Sequence, residues 1–364
     1  MANFRIVDTV EGFEALREKW ERIFAANEGL RFSQSFEWNY GVWTRYYAKE
    51  RKECRLCIVD GYQDGHAEQC AIVPMMIDGE NTLRFLGDTY ADIMGEVVPA
   101  HKDNWHMFYR DLVRFIKETA DGRQVRLTKM TPDDELLQYL GVYYEDESKA
   151  ICKSHNYTYC ETKQGDDLNT GFPQCTSKER SYLRSLAKKN FSCEFKLYSK
   201  QRGEKYPKEA IVRLRDWMLE KGMRTTEALP DGLIETAGEM YDDGRCEVAV
   251  FEHEGKFELA SFRIHEHGGG AHFVNWVVLH SNAQMTTAAD VQYMMLKMAT
   301  EDCIFNFGTG AYSYKLGTFH PQIKQLYSFS TKQRTMRNLV RDLKGLARFY
   351  LRPFINRIRK RGGK

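Results

Sequence analysis

The sequence predicts an α/β (α+β) fold of two tandem units, each a mixed, mostly antiparallel sheet flanked by helices, followed by a basic amphipathic helix. Three observations lead there. At 364 residues the chain is long enough for two domains. The same order of hairpin, helix and short strand occurs twice along it. From residue 334 onward the composition turns abruptly cationic.

The second half carries the clearer pattern. Strands are expected over 246–251, 257–265 and 272–279, separated by turns at Glu254-Gly255-Lys256 and Gly268-Gly269-Gly270. A helix over 286–300 follows, with Ala288, Val291, Met294, Met295 and Met298 on one face. A short buried strand over 303–307, a break at Gly308-Thr309-Gly310, a short helix over 312–316 and a strand over 325–330 complete the unit. The first half repeats this order: a hairpin of 55–60 and 67–77, strands at 82–86 and 95–98, a helix over 104–119, a strand at 124–129, a short helix over 132–139, and a return to the sheet at 142–145. Helices over 11–25 and 207–221 precede the two units, and a basic helix over 180–189 opens the second half. The domains are therefore expected at 1–160 and 178–333, with the Gly- and Pro-containing stretch 161–177 as linker and 334–364 as tail.

Composition excludes several classes. No run approaches the ~18 apolar residues of a membrane-spanning helix, and the N-terminus has no apolar signal core, so a cytoplasmic location is expected. The nine cysteines are scattered and odd in number, as reduced core thiols are, and Cys54 and Cys57 lack a second ligand pair, so no metal is expected. The histidines of His265-Glu266-His267 read as a solvated turn. Residues 334–364 hold eleven Lys or Arg and one Asp; with a whole-chain charge of +2, the body is acidic. Met336, Leu339, Val340, Leu343, Ala347, Tyr350, Leu351 and Phe354 fall on one face of the tail. That suits an interfacial helix on anionic lipid through 335–361, or a helix docked on the protein itself. No nucleic-acid recognition motif accompanies the charge.

Three segments resemble one family. Phe32-Ser33-Gln34-Ser35-Phe36-Glu37-Trp38, Leu83-Arg84-Phe85-Leu86-Gly87 with Tyr90-Ala91-Asp92, and Asn306-Phe307-Gly308-Thr309-Gly310 with Tyr314-Lys315 are similar, in family order, to the F-x-Q-S-x-E-W, R-F-L-G…Y-x-D and D-F-G-x-G…Y-K segments of CelD-like proteins. These are acyltransferases related to the GNAT (Gcn5-related N-acetyltransferase) fold and linked to exopolysaccharide and cellulose synthesis. They are distantly similar to FemAB peptidyltransferases, which use aminoacyl-tRNA. The resemblance implies two tandem GNAT-like units, acyl-CoA as co-substrate, and an acceptor amine on a sugar or a lipid-linked cell-envelope precursor. It leaves aminoacyl-tRNA as an alternative donor, the one route to nucleic acid, and a non-catalytic scaffold as a further alternative. Two departures stand out: Asn306 replaces the family's Asp, and the loop Asn282 to Ala288 lacks the glycines of the usual phosphate loop.

Within that frame the candidate residues follow. Gln284, Thr286, Thr287 and Ala288, at a helix start where free amides favour anions, are placed for the donor's pyrophosphate. Asn275 and Trp276 lie on the strand that contacts the acyl group. Lys315 is placed to bind phosphate or a developing oxyanion, with Tyr314 beside it. Asp92 is the candidate base, next to Tyr90. Glu37 and Trp38 are expected to line a cleft between the units.

Overall fold

A computed structural model describes residues 2–100, 105–223, 229–267 and 271–331. The expected tail helix over 334–364 and the turn at Gly268–Gly270 lie outside the described residues.

The first half comprises β1 (Ala2–Val7), α1 (Val10–Glu14), α2 (Arg17–Ala25), α3 (Phe36–Gly41) continued by a π-helical turn over Val42–Tyr47, α4 (Ala48–Glu50), β2 (Arg55–Leu56), β3 (Ile58–Gln63), β4 (His66–Val73), β5 (Met75–Ile77), β6 (Thr82–Phe85), α5 (His106–Ala120), β7 (Gln124–Met130), α6 (Glu135–Tyr143) and β8 (Ala150–Thr162). The second comprises α7 (Ser177–Ala187), β9 (Glu194–Tyr198), α8 (Lys208–Glu220), α9 (Asp231–Asp242), β10 (Cys246–His253), β11 (Lys256–His265), β12 (Ala271–His280), α10 (Gln284–Met298), β13 (Cys303–Thr309), α11 (Ser313–Phe319) and β14 (Gln322–Ser330).

One eleven-stranded sheet runs β2-β5-β6-β7-β14-β8-β13-β12-β11-β10-β9, and a small sheet β1-β3-β4 stands apart. Each half holds an antiparallel set ending in one parallel step with a helical crossover: β6 beside β7 around α5, and β12 beside β13 around α10. The strand that should then close each half is exchanged. β14, from the end of the chain, pairs with β7, and β8, from the first half, pairs with β13. β8 and β14 pair with each other from Ala150↔Ser330 to Tyr159↔Gln322, fusing the halves into one sheet.

The two halves match in detail. In the parallel steps Thr82 faces Gln124 and Ala271 faces Cys303. Five residues beyond Gln124 lies Lys129, with φ 65°, and five beyond Cys303 lies Gly308, with φ 75°. Both mark a bulge against the exchanged strand, between Leu127 and Met130 in one half and between Asn306 and Thr309 in the other. The expected tandem, mixed, helix-flanked architecture is what the chain forms.

Several expected elements change. The run 67–77 breaks at Pro74, which has no N–H to donate, and its two pieces enter different sheets. The expected strand 95–98 is only a bridge between Val97 and Ile72. The helix over 11–25 is interrupted at Ala15–Leu16. The return at 142–145 does not occur there, since α6 runs to Tyr143 and the sheet is re-entered at β8. β1, β8, β9 and α9 escaped the sequence reading. β8 runs from Ala150-Ile151 through Cys152-Lys153-Ser154-His155-Asn156, a stretch too polar to read as a central strand. The stretch 161–177 begins with the end of β8 and buries Leu168, Phe172 and Cys175 in the second half's core.

The main core gathers helices and strands from both halves. Trp38 and Trp276 meet edge to face at 5.3 Å, and Phe329 of β14 packs on Tyr144 at 5.1 Å in the first half. A fragment ending at residue 163 therefore loses the partner of β7 and leaves β8 unpaired. It is expected to lack a cooperative thermal transition and near-ultraviolet circular dichroism; a two-state melt would show that the first half closes on its own.

Candidate functional site

The parallel step of the second half opens after four residue pairs. β12 and β13 pair from Ala271↔Cys303 to Val274↔Asn306; beyond that β12 continues to His280 without β13, which bulges instead toward β8. This splay opens onto a cavity of about 600 Å³. Asp92, Asn275, Trp276, Gln284, Thr286, Thr287, Tyr314 and Lys315 all line it. Four separate stretches of chain thus meet where the sequence reading placed the chemistry. Ala288, by contrast, is fully buried in α10. Glu37, Trp38 and Tyr90 lie behind the cavity: Glu37 pairs with Arg245 at 3.1 Å, Trp38 is wholly buried, and the Tyr90 hydroxyl donates to the Tyr46 hydroxyl at 3.0 Å. Tyr90 and Trp38 act through Trp276, whose Nε1 donates to the Tyr90 carbonyl at 2.5 Å and whose ring meets Trp38.

Asp92 is delivered across the junction between halves. It sits in the loop after β6, half-buried, and accepts from the Thr309 hydroxyl at 2.7 Å. Its other oxygen rests against Gly308, where an added Cβ would lie 2.7 Å from it and 3.3 Å from the Asn275 carbonyl. The Asn306 side chain fixes this bulge by accepting from the Gly308 amide at 2.9 Å. Asn at this position serves a backbone hydrogen bond, which an amide oxygen provides as a carboxylate would.

The loop carrying Asp92 is held from both ends. Gly87 (φ 75°) turns the chain out of β6, and Arg84 closes the turn on Asp88 with bonds of 3.0 and 2.5 Å. Lys129, at the bulge equivalent to Gly308, donates to the Asp88 and Ala91 carbonyls at 2.6 and 2.5 Å. Ser33 donates to the Ile93 carbonyl and Gln34 to the Glu96 carbonyl, each at 2.5 Å. All three family-like segments therefore converge on the position of Asp92.

Lys315 is 4% exposed and donates to the carbonyls of Phe307, Gly308 and Thr309 at 2.5, 3.5 and 3.3 Å. Burial pushes its pKa down, partly offset by Asp92 and Asp290. Its three donors are directed at backbone, so it positions the β13 bulge and adds positive potential behind Asp92, where the sequence suggested a direct phosphate or oxyanion contact. Asn275 is similarly engaged: it donates to Asp290 at 3.1 Å and accepts from Ser261 at 3.1 Å. Asp290 in turn pairs with Arg263 at 2.6 Å, both almost wholly buried.

The start of α10 differs from the expected anion cradle. The Gln284 amide donates to the Asn282 side chain at 3.0 Å, the Met285 amide to the Asn282 carbonyl at 3.0 Å and the Thr286 amide to the Ala283 carbonyl at 3.3 Å. Ala283 holds the N-cap position, the Asn282 side chain before it takes the first helical amide, and the threonines cap nothing. Lys189 stands beside it, donating to the Gln284 side chain at 3.4 Å. Lys189, Tyr182 and Leu186 of the α7 region, together with Thr309 and Tyr312, also line the cavity and were not singled out from sequence. The polar, basic pattern of 180–189 was the available signal for the first three.

Among the described residues, Cys175, Glu179 and His320 group potential metal-ligand atoms within 4.8 Å. They are not among the cavity's lining residues, and each already has a protein partner: Cys175 donates to the Thr318 carbonyl, while Glu179 caps Thr176 and bonds His320.

Two outcomes test the geometry. Gly308→Ala places a methyl group against Asp92 at a positive φ, and is expected to cost about 1–2 kcal/mol in denaturant unfolding. It should also shift Asp92 in a crystal structure of the variant; unchanged stability and an unmoved Asp92 would refute the contact. The second concerns Glu266, which accepts from the Phe32 amide at 2.5 Å. Burial pushes this carboxyl up to about 7 against the opposing pull of Arg31 and that amide. A native pKa above the unfolded value means the folded state binds more protons between the two, so stability falls as pH rises from about 4.5 to about 7 and is level above. Glu266→Gln keeps an acceptor for Phe32, so its advantage in melting temperature should grow through that window; a pH-independent difference would refute the shift.

No family model matches the chain, and no curated protein matches its sequence. Among solved structures it is similar to the C-terminal domain of a putative lysylphosphatidylglycerol synthetase from Agrobacterium fabrum, with a TM-score of 0.55 and 12% identity over 92% of this chain and 97% of that one. It is similar to L-PGS from Bacillus licheniformis, with a TM-score of 0.53 and 12% identity over 88% and 93%. FemX gives a TM-score of 0.54 and 11% identity over 87% and 96%. At such identities the likeness is one of fold alone.

Proposed function

We propose that the chain is an N-acyltransferase that moves an acyl group from acyl-CoA to an amino group of a sugar or cell-envelope precursor. The observation that carries this reading is the splay of β12 and β13 over a cavity into which the other half delivers a carboxylate. The unpaired stretch of β12 offers an edge for an extended donor arm, and the cavity is large enough for the acyl end. As the amine nitrogen bonds to the acyl carbon and the bond to the leaving group breaks, the amine sheds a proton. Asp92 accepts it, held in place by Thr309 and Gly308. Lys315 keeps the bulge rigid through its bonds to the Phe307, Gly308 and Thr309 carbonyls.

The donor's phosphates fit less well, because the first amides of α10 are already bonded within the chain. That observation favours a second reading, aminoacyl transfer, in which the donor's phosphates lie elsewhere. The names of the fold relatives, lysylphosphatidylglycerol synthetase and FemX, agree with it. The CelD-like assignment, and with it an exopolysaccharide acceptor, belongs to the same proposal. So does a peripheral role for residues 335–361 at an anionic membrane; among the described residues no helix is long and apolar enough to cross one.

A thermal-shift series separates the donors. Acetyl-CoA or a longer acyl-CoA at about 1 mM is expected to raise the melting temperature, since a ligand bound only by the folded state stabilises it. Stabilisation by aminoacyl-tRNA alone would select the second reading, and no shift with either would remove both. In a transfer assay Asp92→Asn should lower kcat by about 10²- to 10⁴-fold with the donor KM little changed; wild-type kinetics would remove Asp92 from the chemistry.

A further inference from the structure

A second cavity, of about 620 Å³, lies against the other side of the segment that carries Asp92. Ile93 and Met94 form its wall, while Asp92 lines the first cavity; Tyr157, which also lines the second, pairs in register with Thr309 of the first. We infer that this second cavity is a binding site for a small molecule bearing both a cationic amine and an anionic group, of the amino sugar phosphate class.

Its lining holds side chains of both charges. At the start of α6 stand Glu96, Asp133 and Asp134. Glu96 is 3% exposed; its Oε1 accepts from the Tyr109 hydroxyl at 2.9 Å and from the Leu136 amide at 3.3 Å. Its Oε2 is buried without a hydrogen-bond partner. Such an atom is costly unless something supplies a donor, and an ammonium supplies up to three. Asp134 caps α6 through the Leu137 amide at 3.1 Å and lies so close to residue 95 that an added Cβ there would meet its Oδ2 at 2.6 Å. Glycine at 95 thus lets the carboxylate press against the loop that leads back to Asp92.

The cations gather near Tyr157. Arg31 and Lys324 both draw its hydroxyl pKa down against the upward push of burial, and Lys324 lies 5.1 Å from the centre of the Tyr159 ring. Arg31 also reaches His272 Nδ1 at 3.4 Å. Two cations in the lining suit a phosphate, and a carboxylate with an unpartnered oxygen in the same lining suits an amine. As the acceptor's seat this site rests on the acyl-transfer reading; as a binding site it does not.

Isothermal titration of the full chain without donor tests it, with glucosamine 6-phosphate, glucose 6-phosphate and glucosamine as probes. The first is expected to bind about tenfold or more tighter than either analogue. Lys324→Ala, at the surface, and Glu96→Gln, checked for folding by circular dichroism, should each weaken it by about tenfold. No binding of the aminophosphate at about 10 mM, equal binding of all three probes, or wild-type affinity in Lys324→Ala would overturn the inference. Acyl transfer to another amine without binding here would sink the inference and spare the activity. Tight binding without transfer from any donor would do the reverse.

Discussion

Each half of this protein closes its sheet with a strand that belongs to the other. β7 has no partner on its far side until β14, the last strand described, arrives; β13 has none until β8 does. Backbone groups buried in a central sheet must be paired, so neither half can satisfy its own hydrogen bonds alone. The exchange imposes the rest of the architecture. It puts the two halves in one sheet, brings Tyr157 beside Thr309, and holds the loop after β6 within reach of the bulge in β13. A cavity shared by the halves follows from the pairing.

The equivalent bulges show how the two parallel steps differ. Both strands turn through a positive φ five residues into their parallel pairing partner's register, at Lys129 and at Gly308. At Gly308 the missing side chain leaves room for a carboxylate from the other half. At Lys129 a long side chain fills the corresponding place, burial pushes its ammonium pKa down, and the nitrogen is consumed by two carbonyls of the Asp92 loop. One bulge is an anchor and the other a receptacle, and the same loop connects them. The first half has become a scaffold that presents Asp92 to the second.

How much of this was legible in the sequence can be argued residue by residue. The order of hairpin, crossover helix and buried strand survived because those elements carry strong periodic patterns. Asp92, Asn275, Trp276, Gln284, Thr286, Thr287, Tyr314 and Lys315 line one cavity because position in the fold decides which residues meet. What they do there was less legible. Lys315 looks like a free cation in sequence, and only the fold brings three backbone acceptors around it. Glu37 and Trp38 look like cleft residues, yet one is tied to Arg245 and the other is sealed in the core. The exchanged strand β8 was missed because its exposed first half alternates too many polar residues. Its pairing is specified by β13 and β14, more than a hundred residues away in sequence, and local pattern does not report that.

The start of α10 bears most directly on the donor. A helix N-terminus attracts anions through amides that have no partner within the helix. Here Asn282 supplies a partner to the amide of Gln284 through its side chain and to that of Met285 through its carbonyl, and Ala283 takes that of Thr286. A phosphate group would have to displace those bonds, and the absence of glycine from 282 to 288 leaves little room for the backbone to rearrange around it. What remains on that side of the cavity is Lys189, with Tyr182 and Tyr312 on the same lining. Those groups recognise a charge and a flat ring at the rim more readily than a pyrophosphate at the helix end. In the proposed acyl transfer, the splay and the Asp92 carboxylate set where the acyl carbon sits. The capped helix narrows how its carrier is held, toward contacts along the rim of the cavity and away from the helix dipole.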